Sequence, residues 1–260
     1  MSPLRVLITN MWLKRRSGTE IVTMELAHGL ARRGHEVVVF AHDLGASGEM
    51  LRREGIRVTD RLDDLEFEPD VIHGNHSVDL VHGMIAYPGT PGVFVCHNPS
   101  HWICSPPDLS RVRAFVSVDR LGGERIAHDL PRARNTIRIV HNAVDLGRYQ
   151  LREPLPQRPT KALILTKEAG HLSDIQAACK LAGLETEAVG PGVGVIVDDL
   201  PWRLREADIV FATARMAIEA MAVGCAVVVV DERGLAGMVT DDVVADWRDD
   251  NFGQRLLTRT

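Results

Sequence analysis

Lysine is scarce in this 260-residue chain: Lys14, Lys161, Lys167 and Lys180 stand among 30 basic residues, and 35 acidic ones bring the net charge to −5. A broad nucleic-acid-binding face needs a basic excess, so that class is excluded. Long apolar runs are missing as well. No segment approaches the roughly 18 to 20 apolar residues of a membrane helix, and the start, MSPLRVLITNMW, lacks the apolar core and cleavage site of a secretory leader. Cysteine is confined to positions 96, 104, 179 and 225, mostly in or beside apolar segments, which fits reduced, buried thiols in a cytoplasmic protein. No Gly-x-Gly-x-x-Gly follows the first strand, against a nicotinamide or flavin dinucleotide site. What remains is ordinary for a globular protein, 45% apolar and 25% charged, with room for one large or two modest domains.

The apolar pattern reads as strand and helix in alternation. Residues 4–10, LRVLITN, predict a buried strand. Ser17 and Glu20 have capping-box spacing, with Gly18 at the first helical position. Val22, Leu26 and Leu30 keep helical spacing until Gly34, and 36–40 is a second strand. The free backbone amides at Gly18 and Thr19 could hold an anion, although a well-capped helix explains the pattern equally. Next, 70–77 (DVIHGNHS) and 92–98 (GVFVCHN) each run from a strand into histidines, so His73, His76 and His97 should gather at one rim. Carboxyl ends of strands are where open α/β sheets bind ligands. Cys96, His97, His101 and Cys104 offer a zinc-type donor set, but neighbours in an extended segment point to opposite faces. A plain hydrogen-bonding role for His97 also stays open.

Strand signals at 114–118 and 136–140 follow, then the proline-rich LREPLPQRPTK (151–161), which reads as a linker. A second alternation begins at 162–166, with Lys167 just past the strand at its carboxyl edge. The glycines at 190, 192 and 194 precede no helix and read as a loop. The densest signal is 212–231, ATARMAIEAMAVGCAVVVVD: Thr213 as N-cap, a mostly apolar helix stopped by Gly224, then a buried β-branched strand. Arg215 and Glu219 interrupt that helix four residues apart and share one face. They either pair with each other at the surface or meet a ligand.

In the run IEAMAVGCAVVVVDERGLAGMV, Glu219 resembles the second glutamate of the Glu-x7-Glu signature of family-4-type glycosyltransferases. Phe211 stands where the first glutamate would fall, and Arg215 matches a subgroup reading Ser-Gly-Arg-x-x-x-Glu. SGTEIVTMELAHGLARRGHEVVVF is similar to the family's start, and TIRIVHNAVDLGRY (136–149) to the segment closing its first domain, Asn142 and Asp145 matching. The resemblance implies a GT-B fold of two Rossmann-like domains with parallel sheets facing a cleft, here 1–152 on the acceptor side and 153–260 for the nucleotide sugar. It implies transfer from a nucleoside-diphosphate sugar, UDP- or GDP-linked, with retention, without a cofactor or metal; no Asp-x-Asp pair is placed to hold a divalent ion. By likeness Glu219 binds the donor ribose, Lys167 and Arg215 face the diphosphate, Gly18 adds backbone donors, and His97 sits by the donor sugar and acceptor. The acceptor, a glycan, a lipid or a small molecule, is not legible, and peripheral contact with a membrane or a second copy stays open. The family continues with further helices for which this chain lacks room. A binding module without turnover is therefore the second reading, and a sugar-nucleotide epimerase the third.

Overall fold

The computed structural model describes residues 2–15, 18–63 and 65–258. Ser17, and with it the expected capping box, lies outside the described residues. The chain divides into two compact units, Met1–Val140 and His141–Thr260.

The first unit follows the expected alternation. Its elements are β1 (Arg5–Leu13), α1 (Gly18–Arg32), β2 (Glu36–Leu44), α2 (Ala46–Arg53), β3 (Arg57–Thr59), β4 (Val71–Gly74), α3 (Ser77–Ala86), β5 (Gly92–Cys96), β6 (Val112–Ser117), α4 (Arg120–Asp129) and β7 (Ile137–Ile139). They build a seven-stranded sheet ordered β3-β2-β1-β4-β5-β6-β7, with every adjacent pair parallel. A strand covered on both faces reads as a continuous apolar run, and Val37–Val38–Val39–Phe40–Ala41 in β2 is buried throughout. Alternation along β1 divides the core: Leu7 packs with Phe40, Phe94 and Phe115 on one face, while Val6 and Ile8 pack with Val39 and Leu51 on the other. Truncating a fully buried phenylalanine such as Phe94 would cost about 3–5 kcal/mol.

The second unit contains β8 (Lys161–Leu165), α5 (Leu172–Leu181), β9 (Glu185–Val189), α6 (Leu200–Glu206), β10 (Ile209–Ala212), α7 (Ala214–Val223), β11 (Ala226–Asp231), β12 (Gly234–Met238) and α8 (Val244–Asp249). Its sheet runs β12-β11-β10-β8-β9. Not all of it is parallel: β12, in a stretch not expected to be a strand, returns antiparallel along β11. The division between units precedes the proline-rich stretch offered as the linker, because that stretch packs onto the second unit. Arg152 donates its amide to the Val223 carbonyl (2.9 Å) and its guanidinium to Asp208 (2.9 Å). Asp208 also accepts from the amides of Thr160 (2.7 Å) and Lys161 (3.1 Å). Burial pushes the Asp208 carboxyl up, but those amides and Arg152 outweigh it and hold it below the usual carboxylate range.

Gly224 terminates α7 in the left-handed region (φ 91°), as expected. The start of that helix corrects the sequence reading, because Thr213 makes no side-chain cap. The Ala214 amide instead donates to the Phe252 carbonyl at 2.8 Å. Ala214, Asn251 and Phe252, at φ 52°, 53° and 49°, are the described non-glycine residues with positive φ, and all three meet at this contact.

Candidate functional site

Strand order marks where a crevice is expected in each unit. In the first, the chain leaves β1 for β2 and β3 on one side, then returns to β4 on the other. The loops after β1 and β4 therefore diverge at their carboxyl ends, the geometry that opens a binding crevice in doubly wound sheets. Gly18, the first residue of α1, is exposed, and a Cβ there would meet no atom within 4 Å. The histidine-bearing segments after β4 and β5 join the same sheet edge.

That edge is wired by hydrogen bonds. His97 Nε2 lies 2.9 Å from Asn75 Oδ1. The Asn75 amide donates to Thr23 Oγ1 (2.9 Å), and the Thr23 hydroxyl donates to the Thr19 carbonyl (2.9 Å) in α1. His97 is half-buried, and its pKa is pulled down to about 3, first by lost solvation, then by His76 and His73. His73 is likewise lowered to about 4 by burial. Both rings are thus neutral near pH 7. His76 accepts the Met11 amide on Nδ1 (3.2 Å), and the same nitrogen lies 3.3 Å from the fully buried Asp79 carboxylate. Arg125 of α4 pins the loop that carries His97, donating to the carbonyls of Pro99 (2.6 Å) and His101 (2.8 Å) and to Ser105 Oγ (2.7 Å). The cysteines flanking that loop, Cys96 and Cys104, are free and buried. Burial and its contact with Cys104 hold the Cys96 thiol up, the contact being the larger cause. Among the described residues no group of three or more His, Cys, Asp or Glu is placed to hold a metal ion.

The second unit has its own switch point: β9 lies on one side of β8, while β10 lies on the other. Lys167 follows β8, and Thr213 and Ala214 follow β10, its hydrogen-bonded neighbour. Lys167 is exposed as a residue, yet its ammonium lies where the surrounding protein and then Arg233 lower its pKa, while Asp231, Glu168 and Glu219 pull the other way. The glycine-rich loop supports this turn by close backbone approach. A Cβ on Gly190 would sit 2.1 Å from the Thr166 carbonyl oxygen, and one on Gly192 would lie 2.7 Å from the Glu168 backbone.

Arg215 and Glu219 are brought together, but inside the unit and not at its surface. They are 7% and 2% exposed, with Arg215 Nε 2.9 Å from Glu219 Oε1. Arg215 also donates to the Ala143 carbonyl (2.9 Å), and Glu219 is hydrogen-bonded to Tyr149, whose pKa is raised first by burial and then by the Glu219 charge. The pair thus ties 143–149 to α7. Tyr149, the last residue of the stretch 136–149 likened to the family, had no role in the sequence reading. Asp145 accepts the Gly147 amide (2.9 Å) and so turns its own segment, whereas Asn142 reaches Asn251 at 3.2 Å. Phe211 packs with Ile164 and Ile175 on the sheet face.

Residues 16–148 match the profile of Glycosyltransferase Family 4. The chain belongs to glycosyltransferase family 4. It is an enzyme of the GT-B fold, and the structures it resembles agree. HepE of Anabaena, solved with UDP-glucose, superimposes with a TM-score of 0.63 at 16% identity, over 96% of this chain and 92% of that one. A glycosyltransferase from Rickettsia africae gives 0.66 at 14% identity, over 87% and 79%. The lipopolysaccharide outer core galactosyltransferase WaaB gives 0.59 at 12% identity, over 98% and 90%. No curated protein matches the sequence. No helix of this glycosyltransferase is long and apolar enough to cross a membrane, among the described residues.

Proposed function

We propose that this chain moves a sugar from a nucleoside-diphosphate sugar, UDP- or GDP-linked, to a glycan, lipid or small-molecule hydroxyl, with retention and without a metal. The observation that carries this reading is a family-4 match that includes Gly18, Asn75 and His97, which stand at the carboxyl edge of one sheet. The UDP-glucose complex of HepE supports the donor class. Charge grows on the departing nucleoside diphosphate as the anomeric carbon–oxygen bond breaks. Fixed cations and helix amides stabilise it most where water is displaced. Lys167 is the second unit's cation for that task, Gly18 supplies α1 amides, and neutral His97 positions the donor sugar or the acceptor hydroxyl.

The arrangement around Glu219 favours a second reading, a nucleotide-sugar-binding module with weak or no turnover. Its carboxylate is already bonded to Arg215 and Tyr149, and to grip a ribose it must share or release one of them. The experiment is nucleotide release from a panel of UDP- and GDP-sugars, for wild type, Glu219→Ala and the apolar double variant Arg215→Met/Glu219→Leu. Release by wild type, lost in both variants while the double variant stays folded, supports the donor role of Glu219. Recovery in the double variant makes the pair a structural tie. Donor binding without release by wild type favours the module.

A further inference from the structure

We infer that Asn75, oriented by Thr23, is the positioning residue that fixes the tautomer of His97 and aims the free ring nitrogen, Nδ1, at the reacting sugar. The inference rests on the reading of His97 given above. Its basis is the direction of a relay in which each bond dictates the next. The Thr19 carbonyl can only accept. The Thr23 hydroxyl spends its one proton there, at 2.9 Å, so toward Asn75 its oxygen is an acceptor. The Asn75 amide must then present its nitrogen to Thr23 and its carbonyl oxygen to His97, each at 2.9 Å. An acceptor facing Nε2 requires a proton on Nε2. In the neutral ring Nδ1 then keeps its lone pair, and it makes no hydrogen bond among the described residues.

Burial supplies the second half of the device. Asn75 is fully buried, and its own amide is tied to the Thr9 carbonyl at 3.0 Å, so the side chain has a fixed base. The titratable groups acting on His97 are His76, in the loop after β4, and His73, on β4, and both resist a positive charge on the ring. The ring thus stays neutral, and the relay selects which neutral form exists. An acceptor hydroxyl or a donor-sugar hydroxyl would donate to Nδ1. Partners that orient a metal-bound imidazole are worth about 10- to 100-fold in activity, and the same order is expected for a ring oriented without a metal.

The test is a long-range 1H–15N correlation of histidine-labelled protein from pH 5 to 9, alongside donor-sugar turnover. Wild type should show His97 as the Nε2–H form alone across that range. Asn75→Ala should give mixed tautomers and a kcat lower by about 10- to 100-fold, with donor KM nearly unchanged. Asn75→Asp keeps an acceptor facing Nε2, so the tautomer should persist. Its charge raises the His97 pKa, and the acid limb of the pH–rate profile should move to higher pH. Thr23→Val, which releases the amide to turn, should reproduce the spectrum of Asn75→Ala if that variant does not fold. An Nδ1–H signal in wild type, or unchanged tautomer and kcat in Asn75→Ala and Thr23→Val, overturns the inference. If His97→Gln transfers sugar as fast as wild type while the tautomers behave as expected, the role of His97 falls and that of Asn75 in transfer falls with it.

Discussion

The two units meet the same topological problem with opposite chemistry. Each sheet opens at the carboxyl ends of two neighbouring strands whose loops part to opposite faces. In the first unit the relay that reaches the His97 ring, Thr19–Thr23–Asn75–His97, is built of neutral groups, while of the charges nearby Arg125 holds the His97 loop and the buried Asp79 stands beside His76. In the second, the helix after β10 carries a full ion pair, Arg215–Glu219, sealed under Tyr149. Breaking a neutral relay misdirects a side chain but leaves no naked charge. Breaking a buried ion pair leaves one, and that is far more costly to the fold. The Asn75 relay is therefore expected to fail in chemistry before stability, and the Arg215–Glu219 pair in stability before chemistry.

The largest effect that would break this contrast is at Glu219. Glu219→Ala strands the Arg215 guanidinium inside the second unit and should cost about 3–5 kcal/mol, with a second-unit melting transition lowered by roughly 10–25 °C. Thermal denaturation of the variant beside Arg215→Met/Glu219→Leu checks it, since the double variant should recover most of the loss. A melting point unmoved by Glu219→Ala would mean the pair is not the tie described. Next comes Gly190→Ala. Its φ of 126° and the Thr166 oxygen in its path predict a loss of about 1–3 kcal/mol by urea denaturation.

The first unit should show its character in pH. Its neutral His97 and His73, lowered to about 3 and about 4, face unfolded-state histidines that titrate near 6.5. The unfolded chain therefore takes up protons first as pH falls. Stability should be fully present above about 6.5 and decline between there and the folded values. Urea midpoints at pH 7.5, 6 and 5 measure this, and His97→Gln should flatten the slope; an unchanged slope would show that His97 is not held neutral. The smallest change is Lys167→Ala. Stability should stay within about 0.5 kcal/mol, while donor KM rises about tenfold, the equivalent of 1.4 kcal/mol in affinity.

Most of the fold was legible because its strands are apolar on both faces and its turns carry glycine or polar caps. The 36–40 and 226–230 strands and the Gly224 stop were all readable from residue type alone. The unit division was not, since Arg152 looks like linker charge until Asp208 is seen beneath it. Nor was the antiparallel β12, whose five residues include two glycines and carry no alternation. At the sites, His97 was legible as a histidine following a strand. Asn75 was legible in the same way, at the end of the strand in 70–77, but its bond to a ring 22 positions on was not, nor was Thr23 behind it, 52 positions back. Arg215 and Glu219 were legible as a pair on one helical face, but their burial was not, since it comes from Ala143 and Tyr149 arriving from far upstream.

One contact in the second unit reaches beyond its neighbours. With the Ala214 amide held by the Phe252 carbonyl, and positive φ at 214, 251 and 252, the opening turn of α7 is sewn to a stretch nearly forty positions downstream. Substitutions at Asn251 or Phe252 would shift the backbone beside Lys167 and Arg215 without touching any reactant. A mutational survey of this enzyme would group them with Lys167 and Arg215, residues proposed for the donor, although what they supply is the thread of the seam.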